Sequence, residues 1–208
     1  MLKPLDARKT NSQEGGASFG LSNRVFRAIW RVTWIVAASW THPLHGWRRF
    51  LLRLFGAKIG KGVYVAPSAR IWYPPHLILD DFAALGDDVD IYCMSSVRIG
   101  KYGIVSKRAH ICAGTHDIND PFFQLIAKKI IVGDHAWVAA EAFIGPGVTL
   151  GEGAVLGARG VTMRDLKPWT VYAGNPAKEI KTRDVVVRND FPSRGWLKSK
   201  GSSVGGAS

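Results

Sequence analysis

Residues 132–167 read VGDHAW VAAEAF IGPGVT LGEGAV LGARGV TMRDLK when broken into sixes. The first position of each six is Val132, Val138, Ile144, Leu150 and Leu156, with Thr162 last. The fifth is Ala136, Ala142, Val148, Ala154 and Gly160, with Leu166 last. A repeat of six is the signature of a solenoid. Three sixes make one triangular turn of 18 residues. The aliphatic first residue fills the interior, and the small fifth residue lets the chain corner tightly with its side chain inward.

The same register extends upstream through Ile59, Val65 and Ile71, then Leu79, Leu85 and Ile91, then Ile99, Val105 and Ile111. Fourteen of the fifteen first positions are Ile, Leu or Val. Coils therefore start at Ile59, Leu79, Ile99, Val132 and Leu150. The 20-residue steps between the first three starts carry two extra residues each, which a corner absorbs. This predicts an all-β chain, a parallel β-helix of about five coils over 59–167, stacked about 4.8 Å apart.

Two stretches escape the repeat. Residues 117–131 form a 15-residue excursion between the third and fourth coils, and a loop that long in a compact solenoid is usually functional. Residues 168–188 should cap the open end, and 189–208 read as a flexible polar tail. At the other end, residues 1–21 are polar, read as disordered, and show no signal-peptide pattern. Residues 22–58 read as basic amphipathic helices. One is capped by Ser22 or Asn23 and runs to about Trp40; the second begins near Leu44 and ends at Gly56. The uncharged run Val32–Trp47 is shorter than the roughly 20 apolar residues a spanning helix needs. Trp and Phe beside Arg over 22–56 suit packing on the solenoid or a neighbouring subunit, and they also suit a membrane interface.

The 208 residues carry a net charge of +12, placed unevenly. Residues 1–58 hold +8, residues 59–167 are neutral, and residues 168–208 hold +4. A neutral centre is not a nucleic-acid-binding core. Basic ends suit a membrane surface or a phosphorylated ligand. Cys93 and Cys112 give neither a disulfide framework nor a paired metal-ligand motif, and read as buried thiols in a reduced compartment.

The hexads, the loop following Cys112–Asp117 (CAGTHD) and the Ala173–Lys178 tail (AGNPAK) together resemble the hexapeptide-repeat acetyltransferases. Within them, FLLRLFGAKIG at 50–60, GDDVDIY at 86–92 and NPA at 175–177 are similar to the colanic-acid-biosynthesis branch, near the nodulation and galactoside acetyltransferases. The resemblance covers roughly 44–183. It implies a left-handed helix, a homotrimer, and acetyl-CoA held between neighbouring prisms, with no metal. It implies transfer of an acetyl group to a sugar hydroxyl of an exopolysaccharide repeat unit or its lipid-linked precursor. The place implied is the cytoplasm or the inner membrane face.

Such a transfer needs a base for the hydroxyl proton and donors for the developing oxyanion. His116 closes the last six before the excursion, and imidazole side chains titrate near neutrality; it is the candidate base. Asp117 either orients His116, contacts the acceptor or caps the loop. For the cofactor, the resemblance points to Trp137 beside the thiol end and Ala140 at the thioester oxygen. Gly157 and Ala158 then line the pantetheine path, followed by Met163. Arg164, Lys178 and Lys181 are the phosphate contacts. Some relatives carry Ser where Ala140 stands, leaving only a backbone N–H here, and relatives often carry Arg where Lys178 stands. Asp87, Asp88, Asp90 and Tyr92 lie one coil below His116 and suit sugar hydroxyls.

Two other readings share the architecture. A zinc carbonic anhydrase would need three converging histidines, whereas His110 and His116 stand six apart, on successive faces. A non-catalytic scaffold would bind no CoA and would tolerate loss of His116.

Overall fold

The computed structural model describes residues 3–11 and 14–184, so the 189–208 tail lies outside the described residues. From Lys58 onward the chain winds through three parallel faces, each strand stacking on the one a coil earlier. The first face stacks Lys58–Ile59, Leu77–Leu79, Val97–Ile99, Ile130–Val132 and Thr149–Leu150. The second stacks Tyr64–Val65, Ala84–Leu85, Ile104–Val105, Trp137–Val138, Val155–Leu156 and Thr170–Ala173. The third stacks Arg70–Ile71, Asp90–Tyr92, His110–Cys112, Phe143–Ile144 and Val161–Thr162. This is the left-handed parallel β-helix.

The register is the one the repeat dictates. Ile59, Leu79, Ile99, Val132 and Leu150 pair in one column, and Ile71, Ile91, Ile111, Ile144 and Thr162 in another. Leu79, Leu85, Ile91, Ile99, Ile111, Ile144, Leu150 and Leu156 are fully buried. The helix runs on past the five expected coils: Thr170–Ala173 stacks parallel on Val155–Leu156 as a partial sixth rung. Only then does Lys178–Thr182 fold back antiparallel as the cap.

At the fourth position of most sixes the backbone turns left-handed. The column Gly62, Phe82, Tyr102, His135, Gly153 and Trp169 does so at φ of 51–64°. Phe82, Tyr102 and His135 stack their rings at 5.0 and 5.2 Å. A side chain at Gly62 or Gly153 would strike the ring of Phe82 or Trp169. Glycine there thus answers both the backbone angle and the ring above it.

Helix α1 spans Ala7–Thr10, α2 Leu21–Ala37 and α3 His45–Leu54. None of the described helices is long and apolar enough to cross a membrane. α2 starts at Gly20 without a side-chain cap and stops three residues short of Trp40, because the Ala38 and Ser39 N–H groups both turn back to the Trp34 carbonyl. α3 packs on the first coil. Its Arg48 is fully buried and donates to the carbonyls of Val65 (2.8 Å) and Thr41. Burial lowers its pKa, yet its hydrogen bonds satisfy the ion.

Within the segment expected to be disordered, residues 5–7 and Phe19 make packed contacts. Phe19 is buried against Trp72, with rings 5.1 Å apart. The Ala7 N–H donates to Gln124 Oε1 (2.7 Å), and Gln124 Nε2 donates to the Leu5 carbonyl (3.0 Å). One aromatic and one amide pair outweigh the polar composition.

Replacing Arg48 with Met should cost about 3 kcal/mol in denaturant unfolding, because buried carbonyls lose a charged donor. Cys93 is fully buried, and burial pushes its thiol up to about 12. The unfolded thiol ionises near 9, so stability should fall as pH rises from about 9 toward 12. A Cys93→Ala variant should flatten that part of the unfolding profile.

Candidate active site

The excursion is a β-hairpin. Gly114–His116 pairs antiparallel with Leu125–Ala127, with His116 opposite Leu125. The chain therefore leaves the repeat at Gly114, before residue 117, and rejoins it at Ile130. The tip is made by two aspartates: Asp117 Oδ1 accepts from the Asn119 N–H and Asp120 Oδ1 from the Phe122 N–H, both at 3.0 Å.

His116 is exposed at the end of its strand. Its ring lies flat on Phe123, with centroids 4.5 Å apart and planes 15° apart. Its Nδ1 lies 2.8 Å from the Phe123 carbonyl. A carbonyl can only accept, so Nδ1 is the donor, and in the neutral imidazole Nε2 then keeps its lone pair. The orienting group is therefore the Phe123 backbone, and the Asp117 carboxylate caps the turn.

Beside the hairpin lies a cleft of about 530 Å³ between α2 and the third face. Trp30, Trp34, Trp72 and Tyr92 supply its rings, and Arg27, Arg31, Arg70 and Asp90 its charges. Asp90 pairs with Arg70 at 3.2 Å. Arg27 lies 4.3 Å over the Trp72 ring. Trp34 is buried, and its Nε1–H has no hydrogen-bond partner among the described residues. Burial raises the Tyr92 pKa, holding the phenol protonated. Trp72 and Tyr92 also pack with Phe19, Met94, Leu125 and Ala127, so the cleft wall and the hairpin share one apolar cluster.

Of the expected acceptor residues, Asp90 and Tyr92 line this cleft. Asp88 does not: it forms a left-handed corner whose N–H donates to Ser68 Oγ. Asp87 accepts from the same Ser68 hydroxyl at 3.3 Å. Most of the expected cofactor residues lie elsewhere, on the second face and its cap. Trp137 is exposed on the second face, its Nε1–H donating to Ser106 Oγ at 2.9 Å. Gly157 is on the same face one coil later. Ala140 and Ala158 stack at the next corner, where the Ala140 carbonyl accepts the Arg159 N–H. The Ala140 N–H has no partner among the described residues. Lys178 and Lys181 are exposed on the cap strand of that face. Met163 and Arg164 follow the third face, with Met163 folded over Gly145. His116 leaves from the corner between the third and first faces, so one chain does not join it to the Trp137 group. His110 lies against Phe143 and His135 against Tyr102, and among the described residues no three His, Cys, Asp or Glu side chains converge.

Sequence reasoning missed Phe123, Gln124 and Trp72. Only Trp72 carried a signal, an aromatic directly after the inward Ile71.

No family model matches the chain. The protein named "Putative colanic acid biosynthesis acetyltransferase WcaF" of Escherichia coli (strain K12) is 42% identical over 162 residues, 77% of this chain and 89% of that one. The chain belongs to the WcaF-like colanic acid acetyltransferase family. It is an acyltransferase. Two solved structures share the fold. A maltose O-acetyltransferase from Clostridium difficile 630 superposes with a TM-score of 0.72 at 22% identity, over 80% of this chain and 90% of that one. A galactoside acetyltransferase in complex with coenzyme A gives 0.72 at 20%, over 86% and 91%.

If Phe123 fixes the imidazole, nitrogen NMR should show His116 as the Nδ1–H tautomer in neutral solution. An Nε2–H tautomer would remove the carbonyl from that role.

Proposed function

We propose that this WcaF-like chain moves an acetyl group from acetyl-CoA to a sugar hydroxyl, with His116 as general base. The observation that carries the reading is the 2.8 Å contact of an exposed histidine's Nδ1 with the Phe123 carbonyl, in a chain of this family. Acetyl-CoA brings an activated thioester, so no metal or covalent enzyme intermediate is called for. Nε2 takes the hydroxyl proton as the sugar oxygen bonds to the acetyl carbon. The Ala140 N–H, open like the others in its corner column, faces the developing oxyanion without side-chain help. As the carbon–sulfur bond breaks, the imidazolium returns its proton to the departing thiolate. The proton and electron pairs balance.

The acceptor belongs in the cleft, where indole and phenol rings suit sugar faces and Asp90 suits hydroxyls. Its cations suit an anionic glycan, in keeping with an exopolysaccharide repeat unit or its lipid-linked precursor. His116 and the Trp137–Ala158 group lie on different edges of one prism, which supports a cyclic homotrimer with the donor groove between subunits.

The test is sugar-dependent thiol release from acetyl-CoA. His116→Ala should lower kcat about 10³-fold while CoA binding persists. An unchanged rate would remove His116 from the chemistry, and absent CoA binding would favour a non-catalytic scaffold. Ala158→Trp should block the pantetheine path. Mixed oligomers of the two inactive variants should regain partial activity if each site spans two subunits; none would return if each chain holds a whole site.

A further inference from the structure

Helix α2 buries one face and leaves the opposite one bare. Asn23, Trp30 and Trp34 turn inward, and Trp30 Nε1 donates to the Ile71 carbonyl at 2.7 Å. Leu21, Val25, Ile29, Val32, Ile35 and Val36 are exposed. At 100° per residue they fall in one arc about 120° wide, opposite the tryptophans. Val32 and Val36 are 61% and 66% exposed, values no packed face leaves on six neighbouring aliphatics. Beyond the helix end Trp40 is 70% exposed, and on α3 the exposed Trp47 and Phe50 stack at 5.6 Å. An exposed apolar stripe of this extent marks an interaction surface.

The charge around the stripe names its occupant. Between Glu14 and Asp80 the sequence holds no acidic residue and nine Lys or Arg. Among the described residues, no arginine of α2 or α3 takes part in an ion pair. Arg24 and Arg31 are exposed along one edge of the stripe. Pairing two copies of this surface would set cation against cation with no carboxylate to answer. A lipid bilayer answers both features, with acyl chains for the aliphatics and anionic headgroups for the arginines. Indoles such as Trp40 and Trp47 settle at that boundary.

We propose that α2 and α3 dock this chain in the plane of an anionic membrane surface. This goes beyond acetyl transfer, and its readout does not depend on that reaction. Ile35 and Arg31 belong both to the exposed helix surface and to the cleft lining, so docking would set the cleft mouth at the headgroups.

The test is co-sedimentation of the full chain with phosphatidylcholine vesicles, with and without phosphatidylglycerol, at low and high salt. Binding should be at least tenfold stronger to the anionic vesicles and should weaken with salt. The paired substitution Val32→Asp, Val36→Asp should abolish it while the melting temperature and native mass hold. Arg24→Gln with Arg31→Gln should weaken it about fivefold per charge, and decides the matter if the aspartate pair unfolds. Equal weak retention on both vesicles, or full retention by the aspartate pair, would overturn the proposal. So would a change of native mass in that variant, which would make the face a protein contact.

Discussion

The width of the prism interior governs the rest of the molecule. Each face admits one aliphatic side chain per coil, and each corner admits only a small inward residue. Interiors are close-packed, so that limit propagates along the stack without slack. Because parallel strands repeat their pairing from coil to coil, one register error would displace every inward residue above it. The stacked rings of Phe82, Tyr102 and His135 act in the same sense from outside, holding a corner column in line.

What the chemistry needs is then attached to this frame at defined edges. The hairpin carrying His116 has no repeat to hold it. Its support comes from Leu125 in the apolar cluster and from Gln124, which clasps the segment ahead of α2 through two hydrogen bonds. The N-terminal segment thus braces the His116 hairpin, and Phe19 and Trp72 tie that brace to the cleft wall. Arg48 gives the helices a rigid seat on the first coil without using any carboxylate.

The solenoid was legible because its constraint is local and periodic: Leu156 and Gly160 announce their roles by spacing alone. His116 was legible as a position, at a boundary the repeat makes visible. Its orienting partner was not, since a backbone carbonyl at Phe123 leaves no trace in residue type. Asp117, adjacent in sequence, was the natural candidate, yet its side chain satisfies its own turn. The packing of residues 5–7 and of Phe19 rests on Gln124, more than a hundred residues away, and on Trp72, and no pattern within the segment reports such a pairing. The cleft was half legible: Asp90 and Tyr92 lie on a strand, but Trp34 and Arg27 reach it from a helix whose docking angle the repeat does not encode. The sixth rung was missed because Thr170–Ala173 lacks the six-residue spacing while keeping the strand pairing.

The stacked coils also make the protein a ruler. His116 departs after the third rung of the third face, and the cap strand with Lys178 begins beside the sixth rung of the second. About three steps of 4.8 Å set roughly 14 Å of height between the hairpin and the cap strand. That height changes only in whole coils. A relative that gained or lost one would alter the spacing of hairpin and cap by a fixed increment, leaving both intact. Distance along such a scaffold is therefore a digital property, set by how many times the chain goes round.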